Sequence, residues 1–309
     1  MNKISRRHFI KAGMASSLTN LMGKLAISAN KKKIGQRERP AEIPEKHLSF
    51  SLGLASYTFR AFSLEQTITM TKRLGLEKIC LKDVHLPLTA SEQEIKKAAE
   101  KIRTAGLNLY ACGVVYLERP EEVERVFTYA RIAGLSIIVS SPRPELLPLL
   151  EKKVKQTDIS LAIHNHGPGD KYYPTPADAY EKIKRFDQRI GLCLDIGHAA
   201  RAGINPSEAA QKFSDRLLDV HLKDVSSASP EGHTVEMGRG VINLAEFLQM
   251  IVRLNYHGSL SFEYEKDEKD PLPGLAESVG YVRGLLAGLE LSEPVHHDTG
   301  KPFQAGEKV

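Results

Sequence analysis

Short apolar runs alternate with amphipathic stretches along this chain, at intervals of roughly 25 to 40 residues from residue 48 onward. Eight of these runs have the length of strands, and helical periodicity follows them. The predicted strands span residues 50–56, 78–82, 108–115, 136–140, 159–165, 190–195, 217–223 and 259–264. Such alternation predicts parallel βα units, and eight strands are the number that closes a (β/α)8 TIM barrel.

Helix-capping residues stand where the pattern starts its helices, which supports the same interpretation independently. The predicted caps are Ser63 with Gln66, Ser91 with Glu94, Thr175 before Pro176, Asn205 before Pro206, and Asn243 with Glu246. Gly75, Gly106 and Gly134 follow helical runs, as helix-terminating glycines do. An open doubly wound sheet is the alternative, but it would normally carry a glycine-rich phosphate turn, whereas SYTFRAFS follows the first predicted strand.

Four potential metal ligands occur at the carboxyl ends of four successive predicted strands. They are His164 in LAIHNHG, Asp195 in GLCLDIGH, His221 in LDVHLKD and Glu263 in LSFEYE. In a barrel these strand ends meet at one rim, so we expect the side chains to surround one divalent ion. Two imidazoles with two carboxylates suit Mn²⁺, Zn²⁺, Co²⁺ or Fe²⁺ and disfavour Mg²⁺.

The chain resembles the xylose isomerase-like TIM barrels, the sugar phosphate isomerase/epimerase group, over residues 48–289. The resemblance is carried by CLKDVHLPL, CLDIGHAARAG, DVHLKDV, VEMGRGVINLAEFLQMI and YHGSLSFEYE. It implies that Asp195, His221 and Glu263 bind a divalent metal. It also implies proton abstraction beside a carbonyl, through an enediolate that the metal stabilises.

His164 departs from the pattern that the resemblance implies. Hexulose epimerases of this group have a Glu on strand five, and two carboxylates then face opposite sides of the substrate carbon. The HNHG sequence around His164 instead resembles a subgroup associated with 3-keto-sugar metabolism and with inosose dehydratase. This resemblance implies elimination or hydration beside a carbonyl, with a keto-sugar or keto-glycoside as substrate.

Further polar residues near the strand ends are expected to contact the substrate or move protons. Together with Glu263, the predicted catalytic residues are His198, Lys223 and Lys82; Lys223 would stabilise an enolate, while Lys82 has the alternative of pairing with a neighbouring acid. The predicted substrate-binding residues are His85, His166, Arg239, Glu236 and Tyr57. Scaffold and solvated-loop roles stay open, especially for His166 and Arg239.

The net charge of +5 belongs to the first part of the chain. Residues 1–48 hold 11 Lys/Arg and 3 Asp/Glu, which leaves 32 basic and 35 acidic residues in the remainder. An acidic body argues against a surface that neutralises duplex phosphates. No apolar run approaches the roughly 18 to 20 residues of a spanning helix, so stable membrane insertion is not expected.

Residues 5–11, SRRHFIK, resemble a twin-arginine export signal with Ile10 in place of Leu. We therefore expect residues 1–29 to be a signal peptide, 30–47 a linker, 48–290 the catalytic barrel and 291–309 a flexible tail. The expected location is the periplasm, reached through the twin-arginine export machinery. Cys80, Cys112 and Cys193 lie in predicted strands and indicate small core residues rather than a disulfide framework.

The interpretation favoured by the sequence is an exported, metal-dependent sugar isomerase, epimerase or hydro-lyase whose partner is a small sugar. A non-catalytic sugar-binding barrel is the alternative, because His164 replaces a catalytic carboxylate. A nuclease related to endonuclease IV shares the barrel, but the acidic body and the export signal oppose it. No nucleic-acid partner is expected, and a homo-oligomer is left open.

Overall fold

The computed structural model describes residues 48–292, which form a closed barrel of parallel strands surrounded by helices. The strands are β1 Ser51–Ala55, β2 Lys78–Leu81, β3 Asn108–Leu117, β4 Ile137–Pro142, β5 Ser160–His164, β6 Ile190–Asp195, β7 Leu217–Leu222, β8 Asp224–Val225, β9 Thr234–Val235 and β10 Ser259–Phe262. Because β1 pairs with both β2 and β10, the barrel is closed. The predicted TIM barrel is confirmed.

Helices follow the barrel strands, and their sequence-predicted caps are present. The helices are α1 Leu64–Arg73, α2 Glu92–Thr104, α3 Pro120–Ala133, α4 Leu147–Gln156, α5 Pro176–Ile183, α6 Ile196–Arg201, α7 Pro206–Lys212, α8 Leu244–Arg253 and α9 Leu272–Ser292. Ser63 and Ser91 make full capping boxes, and Thr175, Asn205 and Asn243 each accept from the first turn of their helix. Local sequence therefore sets where these helices begin.

The apolar core lies in two places. The larger part fills the layer between the barrel and the helices. A smaller cluster inside the barrel contains Cys80, Tyr110, Val139, Ala162 and Cys193. The three cysteines are buried and free, as the sequence predicted. Apart from Tyr110, the side chains of this inner cluster are small.

Some local features were not predicted. β3 runs on to Leu117, where it pairs with Pro142 at the end of β4. β8 and β9 form an antiparallel ribbon, whose two-residue strands are too short for alternation to reveal them. α9 extends to Ser292, two residues past the expected end of the barrel domain. The expected signal peptide and linker, and the expected tail from residue 293, lie outside the described residues.

Among residues 48–292, no helix is both long and apolar enough to cross a bilayer.

Candidate functional site

The four predicted ligands lie together at the carboxyl end of the barrel. One donor atom from each of His164, Asp195, His221 and Glu263 falls within 4.8 Å of all the others, and all four side chains are buried. His164 and Asp195 end β5 and β6, His221 is the fifth residue of β7, and Glu263 follows β10. Asp195 is register partner to His221, so the ladder holds them at one level.

Asn165 fixes the position of Asp195. Its side-chain amide donates to the Asp195 carbonyl and accepts from the Asp195 amide, both at 3.0 Å, which locks the end of β5 to the end of β6. The two oxygens of the Asp195 carboxylate have different partners. Oδ1 caps α6 by accepting from the His198 amide at 2.7 Å, and Oδ2 points toward the other ligands.

Lys223 places an ammonium group among the carboxylates. Its Nζ lies 3.1 Å from Asp195 Oδ2, 2.9 Å from Glu263 Oε2 and 2.5 Å from Glu265 Oε1. The Lys223 side chain is only 2% exposed. Its stem reaches this position past Gly197, where a Cβ would stand 2.7 Å from Lys223 Cγ. Glycine at the start of α6 is therefore a packing requirement of the site.

The buried charges stabilise one another. Burial alone would raise the pKa of Glu263, but Lys223 and His221 lower it well below its usual value. Burial likewise works against ionised Asp195, whose pKa is nevertheless lowered by positive neighbours, Lys223 among them. The pKa of Lys223 is raised despite burial because Asp195, Glu263 and Glu265 surround it. Both carboxylates are thus ionised and the amine protonated at neutral pH.

Two further imidazoles face the ligands in neutral form. Burial lowers the pKa of His198 well below its usual value, and it lowers that of His166 to about 3, with the help of His164. His198 Nε2 lies 3.4 Å from Lys223 Nζ, and His166 Nδ1 lies 3.3 Å from His164 Nδ1. A neutral imidazole can donate one hydrogen bond and accept another, so both rings can contact a ligand group or a substrate.

The donor set fits a divalent cation. Within the described part of the chain, His164 Nε2, Asp195 Oδ2 and His221 Nε2 are buried without a well-aligned hydrogen bond, although buried polar atoms are usually satisfied. Donor atoms that each lie about 2.0–2.3 Å from one ion are at most about twice that distance from one another. The four donor atoms of this site, all within 4.8 Å of one another, are already close to such an arrangement. Two carboxylates and two imidazoles would hold such an ion with little rearrangement.

A group of rim residues extends the site toward β2 and β3. Tyr116 is 54% exposed, and its hydroxyl lies 2.8 Å from His166 Nε2. Lys82 Nζ lies 5.8 Å from the centroid of the Tyr116 ring. It also donates to the Val114 carbonyl at 2.5 Å and pairs with Asp83 at 3.3 Å. The structure therefore leaves Lys82 at the rim, with an acid as its neighbour.

His85, expected to bind substrate, has partners within the fold for both of its ring nitrogens. Its Nδ1 lies 3.0 Å from Ser56 Oγ, and its Nε2 lies 3.0 Å from Thr67 Oγ1 and 3.1 Å from the Phe59 carbonyl. Both ring nitrogens are thus used to tie β2 to the turn after β1 and to α1. Burial lowers the pKa of this imidazole, which favours its neutral form.

Arg239 and Glu236 lie away from the ligand cluster, in a cavity of about 650 Å³ that also contains Glu277. Arg239 is largely exposed and pairs with Glu277 on α9, so the predicted substrate clamp is a surface ion pair. Glu236 accepts from Tyr264 and Lys266, both at 2.8 Å, and braces the loop after β10. Tyr57 stays at the rim, half-buried, with the Arg60 guanidinium 4.8 Å from its ring centroid.

Four residues of this region were missed by the sequence analysis. Glu265, two residues after Glu263, accepts a hydrogen bond from Lys223. Tyr116 follows the predicted end of the third strand and was accessible to the same reasoning as the ligands. Asn165 carries no recognisable signal for its backbone clamp. Asp219, two residues before His221, is buried in the barrel, accepts from Tyr110 at 3.1 Å, and lies 3.9 Å from His221 Nε2.

Comparison with known proteins finds similarity to one type of barrel over part of the chain. Residues 144–285 match the family model described as "Xylose isomerase-like TIM barrel". The rhizopine catabolism protein MocC of Rhizobium meliloti is 25% identical over 166 residues, 46% of this chain and 49% of the relative. Inosose dehydratase of Geobacillus kaustophilus is 27% identical over 163 residues, again 46% and 49%. The chain thus spans about half the length of the curated relatives it matches.

A solved structure shows the same fold over most of the barrel. The IOLI protein, whose crystal structure contains a zinc atom, has a TM-score of 0.66 with this chain at 16% identity. The match covers 77% of this chain and 99% of the other. At this identity the likeness establishes the fold.

Proposed function

We propose that this TIM barrel, whose residues 144–285 match the xylose isomerase-like family model, is a divalent-metal-dependent enzyme acting on a keto-sugar or keto-glycoside. The reaction begins with removal of a proton from the carbon beside the carbonyl. One observation carries the proposal: the buried convergence of His164, Asp195, His221 and Glu263. The names of the relatives, among them an inosose dehydratase, agree with carbohydrate chemistry.

The four ligands would hold the metal, which supplies Lewis acidity toward the carbonyl and an adjacent hydroxyl of the substrate. The IOLI protein, which shares the fold, contains a zinc atom in its crystal structure, and this agrees with a divalent metal as cofactor. The mixed nitrogen and oxygen donor set suits Zn²⁺, Mn²⁺, Co²⁺ or Fe²⁺.

His198 and Lys223 form the acid–base pair of the proposed mechanism. His198 is a neutral imidazole, so its unprotonated ring nitrogen accepts the proton from the carbon beside the carbonyl. Lys223 Nζ, 3.4 Å from His198 Nε2, is protonated and stabilises the negative charge that develops on the substrate oxygen. In an elimination, Lys223 gives its proton to the departing hydroxyl, so that one C–H and one C–O bond break, a C=C bond forms and water leaves.

His164 favours elimination or hydration over epimerisation. Two-carboxylate epimerisation needs a second carboxylate on β5, where this chain has an imidazole whose pKa burial lowers. Glu263, a carboxylate of the ligand set, is a second group beside His198 that can act as a base, and Lys82, at the rim, can donate to a substrate hydroxyl.

The test is solvent exchange. The full chain is loaded with Zn²⁺ or Mn²⁺ and incubated in D₂O with a panel of keto-sugars and 3-keto-glycosides, and products are followed by NMR. We expect deuterium at the carbon beside the carbonyl, or unsaturated or hydrated products, and we expect both to stop when a chelator removes the metal. Turnover that persists without metal would overturn the mechanism; metal-independent sugar binding without exchange would favour a binding protein.

We also propose that the protein is exported in folded form through the twin-arginine pathway. The proposal rests on the SRRHFIK sequence of residues 5–11, which lie outside the described residues. Folding before export would let the site acquire its metal in the cytoplasm. Replacing Arg6 and Arg7 by lysine should retain the protein in the cytoplasm, as measured by cell fractionation.

A further inference from the structure

A second cavity adjoins the ligand cluster and is unusually basic. It has a volume of about 300 Å³ and lies between α6, the β8–β9 ribbon and the loop after β10. Lys223, which contacts the Asp195 and Glu263 carboxylates, is part of its wall, so the cavity opens directly beside the proposed reaction centre. The titratable residues of its wall are His198, Arg201, Lys223, His233, Lys266 and Glu265.

Most of the charges in this wall are already neutralised by neighbours. Lys223 is surrounded by Asp195, Glu263 and Glu265, and Lys266 pairs with Glu236 at 2.8 Å. Arg201 differs. In the described part of the chain no carboxylate lies within 4.0 Å of its guanidinium, although Glu231 is near enough for Arg201 to contribute to the lowering of its pKa. The wall therefore has one arginine charge with no ion-pair partner.

Arg201 is held in place by neutral groups. Nη2 donates to the Pro230 carbonyl at 2.7 Å, and Nη1 lies 3.3 Å from His198 Nδ1. Its Nε is buried without a hydrogen-bond partner among the described residues. A fixed arginine without an ion-pair partner, in the wall of a basic cavity, has the chemistry that binds carboxylates and phosphates.

We infer that this cavity binds an anionic substituent of the substrate, a carboxylate or a phosphate, and that Arg201 contacts it. The inference deepens the proposed function and rests on it, because the substrate would span from the ligand cluster into the cavity. The space is large enough for part of a sugar and its charged group. The substrate class is then an acidic keto-sugar rather than a neutral one.

The inference is tested by binding of matched polyols to the metal-loaded full chain, measured by isothermal titration calorimetry. The probes are sorbitol, gluconate and sorbitol 6-phosphate, which share a polyol chain and differ in charge. We expect at least one anion to bind about tenfold tighter than sorbitol or better, because hydrogen bonds to charged groups are the stronger ones. If gluconate binds tighter, the cavity recognises a carboxylate; if sorbitol 6-phosphate binds tighter, it recognises a phosphate.

Arg201→Gln should reduce the preference for the anion to less than about threefold while the affinity for sorbitol stays the same, since an uncharged amide gives up the charge-assisted bond. Arg201→Lys should keep part of the preference. Arg189→Gln is the matched control, because it removes an arginine charge at the opposite end of β6, where Arg189 pairs with Asp187. Circular dichroism and thermal melting check that each variant is folded.

The proposal is overturned if sorbitol binds as tightly as both anions, if no anion binds at millimolar concentration, or if the preference survives Arg201→Gln. A proportional loss of affinity for all three probes in that variant would also contradict it, because it would make Arg201 a structural tie to Pro230. If deuterium exchange depends on metal but acidic probes bind no tighter than sorbitol, only the anion subsite is contradicted. If the preference for anionic probes depends on Arg201 but no sugar shows metal-dependent deuterium exchange, only the proposed reaction is contradicted.

Discussion

At the scale of single residues, the ligand cluster concentrates charge that is costly to bury unless it is balanced. Asp195 and Glu263 are ionised beside Lys223, and all three side chains are almost fully buried. Removing one partner from such a group leaves an uncompensated buried charge. Substitutions here should therefore have separable effects on stability and on metal binding.

Glu263→Gln and His221→Ala should each lower affinity for Zn²⁺ or Mn²⁺ by at least about 100-fold, because even outer partners of metal ligands are typically worth 10- to 100-fold. The barrel should remain folded, since the ligands lie at the rim rather than in the helix-facing core. Metal content after dialysis and circular dichroism measure the two effects. Glu268→Gln, a largely exposed carboxylate in the same loop, is the control that should keep its metal.

Lys223→Met should destabilise the metal-free protein by about 3–5 kcal/mol, because it leaves three carboxylates close together without their counter-ion. A bound divalent cation replaces that charge, so the deficit should shrink when Zn²⁺ is present. Urea unfolding with and without metal measures both values. Lys266→Met, which breaks a more exposed pair with Glu236, should cost much less, because solvent screens an exposed ion pair. An equal cost for both variants would contradict the account.

At the scale of elements, short connections after the strands carry the site. Asp224 shows how. Its buried carboxylate accepts from the amides of Gly238 and Gly240 at 2.9 and 3.0 Å, and from Ile242 at 3.3 Å. It thereby folds the loop after β9 back onto β8.

Asp224→Ala should release this loop, because several backbone amides lose their acceptor. The expected loss of stability is about 1–3 kcal/mol, the usual cost of leaving buried donors unsatisfied. Hydrogen exchange should accelerate at residues 238–242 and stay slow in β5 and β6. Unchanged exchange in the loop would show that Asp224 does not organise it.

Glu236 ties the segment after β9 to the loop after β10 and should make stability sensitive to acid. Its bond to Lys266 lowers its pKa to about 2, from 4.5 in the unfolded chain, despite the opposing effect of burial. Its contribution is therefore complete above about pH 4.5 and is lost as the pH falls toward 2. Glu236→Gln should be less stable than the wild type at pH 6, and the gap should narrow at pH 3 in urea unfolding; a constant gap would exclude this linkage.

At the scale of the whole molecule, the sequence predicted the barrel and the meeting of the four ligands, because both follow from periodicity and strand order. His164 and Glu263 are distant in sequence but share a rim once eight parallel strands close. The contacts of individual side chains were less predictable. His85 follows its strand, as a ligand would. Tertiary packing, however, brings Ser56 and Thr67 into contact with its two ring nitrogens.

Arg239 and Glu265 show the same limit from opposite directions. Both are charged residues in loops after strands. Arg239 pairs at the surface because α9 places Glu277 beside it. Glu265 lies beside the ligands because it pairs with Lys223. The ribbon of β8 and β9, which shapes the second cavity, has no sequence period to detect. The barrel and the ligand set can thus be read from pattern, whereas the substrate-facing wall depends on contacts between loops.

The central claim is that His164, Asp195, His221 and Glu263 bind one divalent ion, and diffraction at a metal absorption edge tests it most directly. Crystals of the full chain grown with Zn²⁺ should give a single strong anomalous peak within about 2.0–2.3 Å of a donor atom from each of the four side chains. Glu263→Gln crystals should lose the peak. An anomalous map with no ion among these residues, while Lys223 remains between Asp195 and Glu263, would contradict the account.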